Sequence, residues 1–358
     1  MSRPTLKLGS YGPDVGLVQE CLGATVDNDF GPQTEAAVEE FQDNYNLDDT
    51  GKVDEPTWAK MEEVFDLPPY PPMLLVPLDA DVVAEIEECA EKSAVANYAW
   101  EDRGVAPIGY VKGMALAYAT MYRKFHIADT TAHECARANT GDVDTDALAW
   151  YAIEFDDLDM SNDVAGVDTL RHLFVLLMGL GMRESSGRHC EGRDTSADNV
   201  SSDTAEAGLF QQSWNSRSCN TEIEKLFDEY LVGLGDEDVP QCALKAFKQD
   251  VSCSSDDWMS YGTGDGLDFQ DLCKECPQFA VECAAVGLRN LRQHWGPINR
   301  KEVELIPEAD ELFLAVQHII DSAEPQPLPP EPEMAVVRIS TNGPVRVFVN
   351  GIEITPTS

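Results

Sequence analysis

The sequence predicts a mainly α-helical protein in three parts: a small three-helix N-terminal bundle, a larger helical body and a short strand-rich tail. Three observations predict it. Apolar residues recur at spacings of three and four through residues 81–323, proline-rich stretches interrupt the chain at 67–80 and 324–334, and period-two alternation is confined to 335–358. At 358 residues the chain exceeds one ordinary core, so several parts are expected on length alone.

Residues 1–66 read as a unit of their own. In GSYGPDVGLVQECLG a Pro-Asp pair starts a helix that places Val15, Val18 and Leu22 on one face. A turn rich in Asp, Asn and Gly follows, then Thr34 as the expected N-cap of a second helix presenting Ala37, Val38 and Phe41. DEPTWAKMEEVF supplies the third, with Asp54 before it and Trp58 inside it. So small a bundle leaves little room for a catalytic cleft, and Phe30, Phe41 and Trp58 are expected in its core. The prolines of DLPPYPPMLLVPLD then favour an extended spacer.

In the body, DVVAEIEECAEKSAVANYAW, IGYVKGMALAYATMYRKF, TDALAWYAIEF, EIEKLFDEYLVGL, CPQFAVECAAVGLRNLRQHW and ADELFLAVQHIIDSA show helical periodicity or apolar helix-formers. Alternation of the strand type is scarce there. The tail, AVVRISTNGPVRVFVNGIEITP, alternates and carries Asn342-Gly343 and Asn350-Gly351, the dipeptide of tight hairpin turns. It is too short for an independent core.

A formal net charge of −40 and a pI near 4.2 repel a phosphate backbone, so no nucleic acid partner is expected. The same charge suits a salty milieu that screens it. No stretch reaches the ~18 apolar residues of a membrane span, and MSRPTLKLGS shows no apolar signal region, so no membrane association is expected. Seven of the ten cysteines lie between Cys190 and Cys283, a density that points to disulfides. Zinc is the weaker reading, because Cys273 and Cys276 form one CxxC without a matching second pair. No metal or cofactor is expected.

Residues 170 to 215 organise the chain. The apolar run Leu170 to Met182 is too short for a membrane and suits a helix buried in a core. It delivers RESSG, with Glu184 at the helix end. An acid half-withdrawn from water holds its proton tightly, because desolvation penalises the charged form; such an acid can donate near neutral pH. The loop that follows carries Glu191, Asp194, Asp198 and Asp203, with Cys190 free to staple it to a later cysteine such as Cys219. Gln211 and Gln212 offer amides to a polar substrate. Carboxylates gathered at one cleft suit cleavage of a glycosidic bond, one protonated to release the leaving sugar and another ionised to steer water or steady the cation. In a chain with 65 Asp and Glu the same acids also fit a solvated loop. Ser185 and Ser186 are not nucleophile candidates, since only His189 is near and it reads as a surface residue.

Gly9, Gly12, Asp14-Val15, Gln19, Leu22, Asp29-Phe30-Gly31, Thr34, Val38, Phe41-Gln42, Leu47, Gly51, Val53, Thr57 and Trp58 together resemble the peptidoglycan-binding type 1 domain. The resemblance covers nearly all of residues 1–66 and implies a module that docks on the wall polymer. RESSG followed by AGLFQ (Ala207 to Gln211) resembles the ES…GLMQ signature of the lysozyme-like superfamily, in particular goose-type lysozymes and soluble lytic transglycosylases. This implies a lysozyme-like fold for residues 81–323 and Glu184 as catalytic acid. It also implies Ser185, Gly208, Leu209, Phe210 and Gln211 at the substrate, with Phe where Met is usual; Tyr261 either lines the cleft or packs its loop.

Two departures matter. The insertion between the motifs is longer than in goose-type enzymes, and Ser213 stands where those lysozymes can have Asp, so the second carboxylate stays open among Asp194, Asp203 and Glu206. The expected activity is cleavage of the β-1,4 bond between N-acetylmuramic acid and N-acetylglucosamine. The enzyme is a muramidase if a loop acid positions water, and a lytic transglycosylase if the substrate's own 6-hydroxyl closes the ring. A non-catalytic wall-binding protein is the competing class. Peptidases and amidases are disfavoured, since the histidines lack metal spacing such as HxxxH. The expected partner is the glycan strands of peptidoglycan, the expected state a monomer, and the expected location the cell wall, reached by secretion or release.

Overall fold

The computed structural model describes residues 5–10, 13–27, 29–45, 47–65, 67, 78–127, 129–193, 201–231, 242–323, 347–349 and 352–354. The chain is mainly α. Packing divides it into Met1–Glu324 and Pro325–Ser358, and the buried apolar residues of the first unit form two separate clusters.

The N-terminal cluster lies among α1 (Pro13–Leu22), α2 (Pro32–Asn44) and α3 (Glu55–Phe65). Val15, Val18, Phe30, Val38, Phe41, Trp58 and Met61 fill it, so the three aromatics belong to the core. Thr34 is not an N-cap: Pro32, whose fixed φ suits the first helical position, starts α2 earlier with Gly31 as cap. Thr34 instead joins a repeated device. Gln19 Nε2 donates to Asp27 Oδ1 (2.6 Å), the Asp29 carbonyl (2.9 Å) and Thr34 Oγ1 (3.0 Å). Gln42, one helix later, donates at the same offsets of 8, 10 and 15 residues to Thr50 Oγ1, the Lys52 carbonyl and Thr57 Oγ1. Each glutamine also accepts from the loop backbone, Gln19 from Asp27 and Gln42 from Thr50 and Gly51. Each buried amide thus replaces a missing sheet as the partner of a turn's backbone groups.

The larger cluster is built by α4 (Ala80–Lys92), α5 (Ile108–His126), α6 (Thr130–Ala136), α7 (Ala147–Trp150), α8 (Ala152–Asp156), α9 (Val167–Ser185), α10 (Thr221–Leu231), α11 (Leu244–Phe247), α12 (Asp265–Glu275), α13 (Pro277–Asn290), α14 (Gly296–Asn299) and α15 (Pro307–Ala323). TDALAWYAIEF, expected as one helix, breaks at Tyr151 into α7 and α8. A two-stranded hairpin, β1 (Ala99–Trp100) and β2 (Gly104–Val105), precedes α5; two residues per strand are too few to show alternation in sequence.

α9 is the central element, packed by α5, α6, α13, α14 and α15. Leu173 to Met178 are six consecutive residues without exposed surface, so every face of the helix is covered. Two buried charge pairs lie elsewhere in the body, Lys124 with Glu282 at 2.5 Å and Arg289 with Asp146 at 3.0 Å. Removing one partner of such a pair typically costs about 3–5 kcal/mol, because the other charge stays buried. Among the described residues no helix is long and apolar enough to cross a membrane. In the tail, β3 (Val347–Val349) and β4 (Ile352–Ile354) pair antiparallel, with Val347 opposite Ile354 and Val349 opposite Ile352.

Candidate active site

The apolar run buries α9, and the small polar residues after it end the helix just past Glu184. Ser186 adopts the left-handed conformation (φ 53°) and its N–H bonds back to the Met182 carbonyl at 3.1 Å. Ser185, buried, donates its hydroxyl to the Gly181 carbonyl at 3.0 Å. Gly187 is required here: φ is +74°, and a Cβ would lie 2.8 Å from Cγ of Tyr110. The Tyr110 hydroxyl in turn donates to the Met178 carbonyl at 2.8 Å, which locks α5 against the last turns of α9.

Glu184 is thereby held half-buried in the last turn of α9. Its carboxyl is pushed up to about 7, first by burial and then by the negative charge of Glu206; Arg103 and Arg300 pull it down, and Glu302 adds a smaller push upward. These groups come from three separate segments. Arg103 sits on the turn of the β1–β2 hairpin and donates to the Arg183 carbonyl. Arg183 fastens that turn further, reaching Glu101 at 3.2 Å and the Glu302 carbonyl at 2.6 Å. Arg300 follows α14 and makes paired bonds of 2.7 and 2.8 Å to Glu302, which hold the Glu302 carboxyl below its usual range.

The segment 207–212 forms a tight turn closed by reciprocal backbone bonds between Ala207 and Gln212, at 2.9 and 3.2 Å. Trp295 Nε1 donates to the Phe210 carbonyl at 2.8 Å, and Gly208 N–H reaches the Glu191 carbonyl at 2.8 Å. Gly208 has φ +75° and a Cβ there would lie 2.4 Å from the Cys273 carbonyl oxygen, so only glycine fits. Gln211, also left-handed at φ 48°, bonds the Glu191 and Gly208 carbonyls through its amide.

Beside Ser186 opens a cavity of about 590 Å³ lined by Arg103, Arg188, Asp250, Cys253 and Asp257, among others. Arg188 pairs with Asp257 at 2.5 Å on this lining and with Glu191, three residues on, at 3.1 Å. The disulfide Cys190–Cys253 ties the segment after α9 to this wall, and Cys242–Cys276 is the second one. Cys190 therefore pairs with Cys253, not Cys219, whose thiol is free. His189, read from its polar surroundings as a surface residue, is fully buried, because the disulfide draws its segment inward.

The structure brings Glu206 into electrostatic reach of Glu184. Asp203 is exposed and engages Asn215 through its carbonyl; Asp194 lies outside the described residues. Leu209 and Phe210 have no exposed surface, so their side chains sit in the core while their turn presents Gln211, which is half-buried. Gln212 and Ser213 are buried, and the Gln212 amide is committed to the Ala280 carbonyl at 2.8 Å. Tyr261 is half-buried with the Arg193 guanidinium 4.4 Å from its ring centre, and Gln270 holds its backbone at both N–H and carbonyl. Arg103, Arg300 and Glu302 were not singled out in the sequence, since nothing local marks a charge that acts on a residue about 80 or more positions away.

No curated protein matches this chain. Among solved structures it is similar to the crystal structure of a Burkholderia AP3 phage endolysin, at 15% identity over 89% of this chain and 98% of that one. The TM-score of 0.16 is too low for that likeness to bear on fold or activity. Residues 7–61, which span the N-terminal bundle, match the family described as a putative peptidoglycan binding domain.

Proposed function

We propose that the protein degrades peptidoglycan as a muramidase, with residues 81–323 as the catalytic part and residues 1–66 as the wall-binding part. Glu184 donates a proton to the oxygen of the leaving sugar, and Glu206 is the second carboxylate, ionised to steer the attacking water or to steady the developing cation. The observation that supports this reading is a half-buried Glu184 at the end of α9, pushed up to about 7 by burial and by the negative charge of Glu206. A carboxyl of that pKa is still half protonated at neutral pH and can act as an acid there. The match of residues 7–61 to a peptidoglycan-binding family supports the wall as the partner. Gln211, poised at the turn beside the Glu191 carbonyl, is the amide proposed to meet the substrate. Release of muropeptides from purified walls, lost in Glu184→Gln and kept in wild type, tests the proposal; wild-type protein that binds walls but releases nothing leaves only a binding role.

A further inference from the structure

Behind the cavity wall, His189, Cys190 and Cys253 each place one ligand atom within 4.8 Å of the others. The two cysteines are joined as a disulfide, and Nε2 of His189 lies 3.9 Å from the Cys253 sulfur. Nδ1 of His189 lies 2.9 Å from the Lys274 carbonyl oxygen. A carbonyl only accepts, so Nδ1 carries the proton and Nε2 turns its lone pair towards the sulfurs. That is the tautomer of a metal-binding imidazole, steadied through its other nitrogen by a backbone carbonyl. A disulfide alone requires no such lone pair beside it.

We propose that the reduced form of this triad is a site for a zinc-like divalent cation, with Cys190 and Cys253 as thiolates, His189 Nε2 as nitrogen ligand and a fourth position open to the cavity. Zn–S bonds of about 2.3 Å and Zn–N bonds of about 2.0 Å set ligand separations of roughly 3.5–3.8 Å in a tetrahedron; Nε2 already lies 3.9 Å from the Cys253 sulfur, and the two sulfurs move apart to that spacing once their bond is reduced. A dithiol reductant passes two electrons and two protons to the disulfide and becomes a disulfide itself; the cation then displaces both thiol protons to solvent. Cys253 lines the cavity, so reductant and cation have a route in. Either staple, disulfide or metal, fixes Cys190, six residues beyond Glu184, to the same wall. The loop thus stays anchored in reducing as well as oxidising surroundings.

The test is a cobalt(II) titration of the full chain, reduced and then freed of reductant without oxygen. The expected result is one bound equivalent with a sulfur-to-cobalt charge-transfer band and tetrahedral visible bands, displaced by zinc and absent from the oxidised protein. Cys253→Ser is expected to lose the sulfur band, whereas Cys242→Ser/Cys276→Ser keeps it. A reduced wild-type protein without a sulfur-to-cobalt band overturns the proposal, and so does a band that persists in Cys253→Ser. The comparison of oxidised with reduced wild type stands even where a variant folds poorly.

Discussion

The carboxylate of Glu206 acts on Glu184 as a like charge, and after burial it is the largest influence raising the Glu184 pKa to about 7. Glu206→Gln removes that like charge, which favours ionised Glu184 and lowers its pKa. The alkaline limb of the pH–rate profile should therefore move to lower pH, alongside a loss of about 10²–10⁴-fold in rate if Glu206 also serves the water. An unmoved limb would break the coupling between the two acids.

Arg300 acts with the opposite sign, since its charge pulls the Glu184 pKa down. Arg300→Gln should shift the alkaline limb upward. Steady-state rates between pH 5 and pH 9 separate the two variants by direction alone, without reference to magnitude.

Glu184 also sets a link between activity and stability. Its folded pKa of about 7 lies above the 4.5 of an ordinary glutamate, so the fold is favoured by protonation: the contribution is fully present below the unfolded pKa and is lost as pH rises through about 7. Glu184→Gln cannot ionise. It should lose about 10²–10⁴-fold in activity and yet be more stable than wild type at pH 8, by roughly 1–3 kcal/mol, with little difference at pH 4. Urea unfolding at the two pH values reads this out.

Gly208→Ala should cost at least about 2 kcal/mol, because the backbone is left-handed and the new methyl meets the Cys273 carbonyl at 2.4 Å. Activity should fall with it, since the turn carrying Gln211 shifts. An alanine variant with wild-type melting temperature and rate would show that this turn does not position the site.

In the N-terminal bundle, Gln42→Leu strands the buried Gly51 N–H and takes one of two partners from the Thr50 N–H, which keeps the Asp48 carbonyl, and from the Lys52 carbonyl, which keeps the Thr57 hydroxyl. Each unmet group costs about 1–3 kcal/mol, enough to unfold so small a bundle. Binding to purified walls should drop while cleavage of short soluble oligosaccharides persists.

The helical body, the buried run ending at Glu184 and the aromatic core of the bundle were legible in the sequence because periodicity reports which faces are covered. The Gln19 and Gln42 devices were not, although their shared offsets are written in the chain, since a side chain that satisfies a distant loop leaves no periodic trace. Thr34 misled for the same reason: its hydroxyl serves Gln19 rather than its own helix. At the site, local sequence placed Glu184 at a helix end and left Asp194, Asp203 and Glu206 as candidates for the proposed second acid. Proposing Glu206 among them rests on its electrostatic effect on Glu184, a tertiary relationship, as does finding Arg103 and Arg300, which arrive from a hairpin turn and from the segment after α14. His189 read as exposed because neighbours in sequence, not the Cys190–Cys253 bond, were all that could be weighed.

Mass spectrometry of purified sacculi digested by wild type and by Glu184→Gln tests the central claim most directly. The account predicts muropeptides with reducing ends from wild type and none from the variant. Products ending in 1,6-anhydro-N-acetylmuramic acid would contradict it, as would equal release by the two proteins.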